Sequence, residues 1–317
     1  MTEIIQTIKK LPVKLLVILI LLSIISIKMG QNASYKKEAI FCEDLLSSYQ
    51  DSTFKNALND LQSKAWYIYD YTKGIEIYGR GAEISLPLAS LTKLMTIRTA
   101  IEGGKLDNDV LFTGVDLSPY GDSGFELNDV VKRSELINAG LVASSNDAAY
   151  ALARSTYGNI PDFINKMNQN AVDLGLKSMS FRTVTGLDED GIATAYGSPK
   201  DVTMLFIKNF IDYPNYFSVS KRENIEVTIN SQKTINLSNT DVYLNSLGNI
   251  LASKTGFTYQ AGGNLSILWR SDEGDLIGAT VMSSTAEDRF TDMIELQTIT
   301  NKFLKNYNFL PKSCFKK

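Results

Sequence analysis

The sequence predicts one interleaved α/β (α+β) domain, and three features of the 317-residue chain lead to it. A pair of aromatic and β-branched runs, "AWYIYDYTKGIEIYG" (65–79), opens the globular part. Three more strand-like runs, "ILASKTGF", "GGNLSILWR" and "LIGATVMSS", lie near its end. Between them apolar residues recur every three or four positions, the period of helices. Strands from both ends of a chain can join one antiparallel sheet, here five-stranded, while the middle packs as an all-helical lobe. No repeat or low-complexity linker divides residues 65–310, so this span is expected to be one domain.

The elements follow in order. Residues 1–30 contain Lys9, Lys10 and Lys14 ahead of "LLVILILLSIISI" (15–27), a run whose length falls between a signal-peptide core and a full membrane span. "KMGQNAS" offers only Gln31 before Ala33 as a small-residue cleavage pattern, which favours an uncleaved N-terminal anchor over a removed signal. The leading lysines place the N-terminus in the cytoplasm and the rest of the chain outside, and a cleaved segment would leave a secreted protein. Residues 31–64 form a helical lead-in, because Ile40, Phe41, Leu45, Leu46, Tyr49, Phe54, Leu58 and Leu61 are helically spaced. A hairpin turns at Tyr71-Thr72-Lys73-Gly74. Helices are expected from Ser90, across 127–157, over 161–175 with Gly175 ending it, and over 199–211. "NIEVTI" and "KTINL" around Asn230 read as a second hairpin. An amphipathic helix over 287–307 closes the domain, and 311–317 is a short tail.

Composition removes several function classes. The formal net charge is −3, and without residues 1–30 the chain carries 28 Lys+Arg against 34 Asp+Glu, so nothing favours nucleic acid. The chain has no histidine and only two cysteines, Cys42 and Cys314. Ser-His-Asp and Cys-His catalysis need an imidazole, and zinc hydrolases normally take histidine ligands, so a nucleophile here needs another base. "GLDEDGIATAYG" (186–197) has acids at calcium-loop spacing but begins and ends with glycine, which makes it a turn. No cofactor and no metal is expected.

"PLASLTKLMT" places Ser90 and Lys93 one helical turn apart on one face. At a helix start, free N–H groups and the positive dipole end help to stabilise an oxyanion, and burial among Leu88, Leu91, Leu94 and Met95 would lower a lysine pKa enough to make it a base. Alone, the pair reads rather as a helix cap beside a snorkelling lysine, because Ser-x-x-Lys is common by chance. "LVASSNDAAYALA" adds Ser144, Ser145 and Asn146 at a break between helical runs, where an N-cap is the alternative. "LASKTGFTYQAGG" adds Lys254, Thr255 and Gly256 in a strand, the glycine leaving room for a substrate backbone along the edge.

Ser-x-x-Lys, Ser-x-Asn and Lys-Thr-Gly in this order are the motif set of class A β-lactamases and penicillin-binding proteins. With "AWYIYDYTKGIEIYG" and "TGLDEDGIATAY", the chain resembles the low-molecular-mass penicillin-binding D-alanyl-D-alanine carboxypeptidases over roughly residues 65–305. The resemblance implies a β-lactamase/transpeptidase-like fold and a serine hydrolase acting on peptidoglycan stem peptides, with β-lactams as covalent inhibitors. Catalysis would fall to Ser90 as nucleophile, Lys93 as its base and Ser144 as proton relay. Substrate would be bound by Asn146, Lys254, Thr255 and Gly256, and the backbone N–H groups of Ser90 and Phe257 would form the oxyanion hole. Lys254 near Lys93 would lower the Lys93 pKa further, since like charges oppose each other's protonation.

Two departures matter. Ser145 stands where the family usually has glycine, and its side chain is expected to point away from the cleft. No Glu-x-x-Leu-Asn block lies between 150 and 254, which argues against an efficient β-lactamase. A peptidoglycan-binding module without activity is the other alternative, but none of Ser90, Lys93, Ser144 and Lys254 is lost. Carboxypeptidase and endopeptidase action stay open. Longer relatives carry a second β-rich domain and a C-terminal anchor, so attachment here would rest on residues 1–30. The resemblance also implies that the first and last helices pack antiparallel, which would let Cys42 and Cys314 pair outside the cytoplasm; two unpaired cysteines are the alternative.

Overall fold

The computed structural model describes Ser47, Gln50, residues 53–55 and residues 58–306, apart from Asp122 and Ser231. The expected membrane segment, most of the helical lead-in and both cysteines lie outside the described residues. Among the described residues no helix is long and apolar enough to cross a membrane. Thr53–Asn306 forms one compact unit.

The chain order is β1 (Ala65–Asp70), β2 (Ile75–Arg80), β3 (Leu86–Pro87), a 3₁₀ turn at Ala89–Thr92, α1 (Lys93–Glu102), β4 (Asp109–Leu111), β5 (Val130–Lys132), α2 (Arg133–Val142), α3 (Asn146–Tyr157) and α4 (Ile160–Asp173). Next come β6 (Ser180–Phe181), β7 (Ala195–Gly197), α5 (Pro199–Asp212), α6 (Pro214–Phe217), β8 (Asn224–Ile229), β9 (Lys233–Ser238), β10 (Ile250–Thr258), β11 (Gly262–Arg270), β12 (Leu276–Ser284) and α7 (Asp288–Asn306). Among the described residues the helices expected from Ser90 onward and both hairpins are present. The helical pattern from Leu127 is corrected: residues 130–132 form β5, which pairs with β4, and helix begins only at Arg133. The short strands β3 to β7 carry too few residues to show a period in the sequence.

The five-stranded sheet has the order β10-β11-β12-β1-β2 and is antiparallel throughout, so strands from the two ends of the domain do meet. Both faces are covered. Trp269 sits beside Ile277 across the β11–β12 pair, and its indole N–H donates to Asn301 of α7 at 3.0 Å. Gly278, one residue on, faces the opposite side. A Cβ there would come within 2.8–3.0 Å of Ile207 and Thr203, so the glycine lets α5 lie close against the sheet. Burial on both faces explains the unbroken apolar texture of "LIGATVMSS".

In the helical lobe α1 is buried over every residue from Lys93 to Ile101 and packs against α2, α3, α4 and α5. A helix buried all round accepts a charged side chain only where partners receive it. Lys93 therefore needs polar partners inside the lobe.

Candidate active site

Ser90 lies on the 3₁₀ turn where the sheet meets the lobe. Ala89, just before it, has φ +48°, and Ser144 has φ +56°. Non-glycine residues in this region are strained by about 1–3 kcal/mol, and two of the residues so strained are Ala89, directly before Ser90, and Ser144 itself. The Ser90 turn is held from three sides. Asn264 of β11, fully buried, donates from Nδ2 to the carbonyls of Pro87 and Leu88, both at 3.0 Å, and accepts from Ser283 N at 2.9 Å. A Cβ on Gly186 would lie 1.9 Å from the Ala89 carbonyl oxygen, so only glycine permits that approach. A Cβ on Gly256 would lie 3.0–3.2 Å from Leu88 O, Ser90 N and Leu91 N. The missing side chain of Gly256 thus admits the Ser90 turn of this chain.

The Lys93 amine donates to Ser90 Oγ at 2.8 Å, to Asn146 Oδ1 at 2.7 Å and to the Thr185 carbonyl at 3.3 Å. Asn146 donates in turn to the Tyr120 carbonyl at 2.6 Å, which fixes its amide orientation. Burial pushes the Lys93 amine down to about 7, against an upward pull from Asp147. From the other wall, Lys254 of β10 donates to Ser144 Oγ at 2.7 Å and to the Thr255 carbonyl at 3.0 Å. Its amine is held well below the ordinary lysine value, first by burial and then by the Lys93 and Arg289 charges. The expected mutual repulsion is therefore felt at Lys254, whereas burial is what lowers Lys93.

Three motifs thus converge as the sequence indicated, with Ser90, Lys93 and Asn146 in one hydrogen-bonded chain and Ser144 and Lys254 in another. Ser145 turns away: its hydroxyl accepts from Ala148 N at 3.1 Å and caps α3. The Thr255 hydroxyl shares a hydrogen bond with Thr240 at 2.6 Å. Phe257 is half-exposed beside Gly256. Acids at calcium-loop spacing do serve a turn. Asp188 accepts from Thr258 Oγ1 and Gln260 N, while Asp190 and Gly191 take positive φ between the paired residues Glu189 and Ile192. Among the described residues no group of three or more His, Cys, Asp or Glu side chains is placed to hold a metal.

A family model described as D-alanyl-D-alanine carboxypeptidase matches residues 51–285. The chain belongs to that family. It is 31% identical over 260 residues to the D-alanyl-D-alanine carboxypeptidase DacA of Escherichia coli, covering 78% of this chain and 63% of DacA. It is 31% identical over 211 residues to the D-alanyl-D-alanine endopeptidase of the same species, covering 64% of this chain and 66% of that one. The chain thus spans just under two thirds of the length of both relatives. Penicillin-binding protein D2 of Listeria monocytogenes, solved in an ampicillin-bound form, superposes with a TM-score of 0.68 at 27% identity, over 76% of this chain and 98% of that one.

Residues outside the family's three motifs also shape the site. Arg289, near the start of α7, donates from Nη1 to the Gly256 carbonyl at 2.9 Å, and burial lowers its guanidinium from its ordinary value. Asp241 accepts from Ser253 Oγ and Tyr243 N; burial raises its carboxyl against downward pulls that include Arg289 and Lys254. Neither lies within a recognisable short motif. Asn264 was legible only as part of the "GGNL" block, with no signal for its role.

Proposed function

We propose that this protein is a penicillin-sensitive serine D,D-peptidase. It removes the terminal D-alanine of peptidoglycan stem peptides, or cleaves D,D-cross-links, through an acyl-enzyme on Ser90. The observation that carries this reading is the Ser90–Lys93–Asn146 chain, in which a fully buried amine with a pKa of about 7 lies 2.8 Å from the hydroxyl it would deprotonate. A base poised near neutrality is what serine activation without histidine requires.

Ser90 Oγ attacks the carbonyl of the penultimate D-alanine while its proton passes to the neutral Lys93 amine. The oxyanion forms beside the Ser90 and Phe257 N–H groups. Ser144, held by Lys254, delivers a proton to the departing D-alanine nitrogen, the C–N bond breaks and the acyl-enzyme remains. Water then attacks the ester, returns a proton to the base and releases the shortened peptide from Ser90. Lys254 and Thr255, with Arg289 behind Gly256, give the cationic end of the cleft that receives the terminal carboxylate, and Asn146 holds the substrate amide. Gly256 keeps β10 close enough to Ser90 for these contacts. The relatives include both a carboxypeptidase and an endopeptidase, and the D,D bond is common to their two names. Residues 1–30 would anchor the protein at the outer face of the bacterial membrane.

Fluorescent penicillin tests the reading: the wild type is expected to take one covalent label and Ser90→Ala none. Intact protein that takes no label would leave a binding module in place of an enzyme.

A further inference from the structure

Lys254 is buried, and it must carry its charge if the cationic end of the cleft is to receive a carboxylate. Its surroundings oppose that charge: burial lowers the amine first, and the Lys93 charge on α1 and the Arg289 charge on α7 lower it further. Asp241 pulls the other way. This residue lies in the segment that joins β9 to β10, is 2% exposed, and has no part in the reaction described above.

The segment runs along β10 and touches alternate positions of the strand. Asp241 Oδ2 accepts from Ser253 Oγ at 2.5 Å, and the hydroxyls of Thr240 and Thr255 share a hydrogen bond at 2.6 Å. Lys254 lies between those two contacts. Thr240 N also donates to the Val142 carbonyl at 3.1 Å, at the end of α2 just before Ser144. The same few residues therefore hold both partners of the Lys254–Ser144 hydrogen bond, the strand on one side and the serine loop on the other. They are anchored in turn: Asn239 donates from Nδ2 to the carbonyls of Ser220 and Arg222, both at 2.8 Å, and accepts from Asp241 N at 2.8 Å. Ser253 N donates to Ser220 Oγ at 3.1 Å.

A cavity of about 300 Å³, lined by Asp241, Glu223, Asn239 and the exposed Val242, gives the Asp241 carboxyl a route to solvent. Glu223, the other acid there, is exposed and accepts from Asn245 Nδ2. Burial raises the Asp241 carboxyl, against downward pulls from Ser253, Tyr243, Arg289 and Lys254.

We propose that Asp241 is a positioning residue of this reaction, which sets the β10 edge that presents Lys254 to Ser144 and supplies negative charge beside that buried cation. The inference rests on the D,D-peptidase reading, in which Lys254 receives the substrate carboxylate. Without the Asp241 charge, Lys254 gives up its proton at lower pH, and the carboxylate then meets a neutral amine. The loss grows as pH rises. In acid the wild-type carboxyl takes up a proton itself, so its charge is gone from wild type and variant alike.

The experiment measures kcat/KM against pH on a soluble pentapeptide ending in D-Ala-D-Ala. Asp241→Asn keeps the size of the side chain and the oxygen that accepts from Tyr243 N, and the Ser253 hydroxyl can turn to accept from the new amide. Its alkaline limb, where Lys254 loses its proton, is expected to move to lower pH, with kcat/KM down about tenfold there and the two profiles converging in acid. The acid limb stays in place, because the charge that acts on Lys93 is Asp147. Asp241→Glu restores the charge and should return the alkaline limb towards its wild-type position. Asp241→Ser, smaller and also uncharged, carries the same expectation as Asp241→Asn should the latter not fold. Thr240→Val loses the contact with Thr255 but no charge, and should lower the profile without moving either limb. Charge-free variants lowered by the same factor at every pH, or an alkaline limb moved equally by Thr240→Val, would overturn the assignment and leave the peptidase reading intact. A wild type that neither takes the penicillin label nor cleaves the peptide would overturn both.

Discussion

A lysine amine with an ordinary pKa is almost wholly protonated at neutral pH and has no lone pair to offer a serine. Full burial of Lys93 among apolar neighbours on α1 removes that obstacle and brings its amine to about 7. The acylation rate of the wild type by penicillin is therefore expected to rise about tenfold per pH unit below 7 and to level off above it, measured by stopped-flow labelling. Lys93→Arg places a group there that does not deprotonate, and acylation should fall by about 100- to 10,000-fold. The same shift bears on stability. Below about 7 the folded and unfolded amines are both protonated and the burial cost is felt in full; between about 7 and 10.5 the unfolded chain binds the extra proton, so stability rises with pH across that window. Thermal melts of wild type against Lys93→Met should show this: the wild type gains on the variant as pH rises from 7 towards 10.5. A pH-independent gap between the two would count against a depressed Lys93.

At the scale of elements, the site is a junction of three backbones that lie closer together than side chains allow. Gly256→Ala puts a Cβ against main-chain atoms of Leu88, Ser90 and Leu91, none of which can rotate away. The expected cost is about 1–3 kcal/mol in urea denaturation, with a loss of labelling rate of tenfold or more as β10 and the Ser90 turn move apart. Asn264→Ala leaves the carbonyls of Pro87 and Leu88 and the Ser283 N–H without their side-chain partner inside the protein. We expect a loss of about 3 kcal/mol and a labelling defect; Asn264→Asp, which keeps the acceptor for Ser283 but loses the donor, should fail to restore the labelling. The Ser-x-x-Lys, Ser-x-Asn and Lys-Thr-Gly residues stand out in the sequence because their spacing is a property of single elements. Gly186 and Asn264 do not, since each acts on a turn about 100 or more positions away, and no local pattern records such a contact.

For the whole molecule, Thr53–Asn306 is one compact unit with its own sheet and helical core. Removing residues 1–30 is accordingly expected to leave penicillin labelling unchanged while shifting the protein from the membrane to the soluble fraction on sedimentation; label that stays with the membrane would show that attachment lies elsewhere. By itself the sequence determined the fold class, the order of nearly every long element and the candidate residues that the structure brings together at one site. Strand and helix periods report burial along one element, and a chain without histidine leaves lysine as the base for serine chemistry. It also carried the turn at Asp190-Gly191 and the outward role of Ser145, both matters of local hydrogen bonding. The tertiary structure alone decided that burial lowers the Lys93 amine and that Lys254 feels its charge, how closely Gly256 lets β10 approach the Ser90 turn, and that Arg289 reaches the Gly256 carbonyl. It also decided that a cavity of mixed lining reaches Thr185 and Tyr120, whose carbonyls accept from Lys93 and Asn146. Burial, charge proximity and backbone clearance are set by elements packed across the fold, which no window of sequence contains.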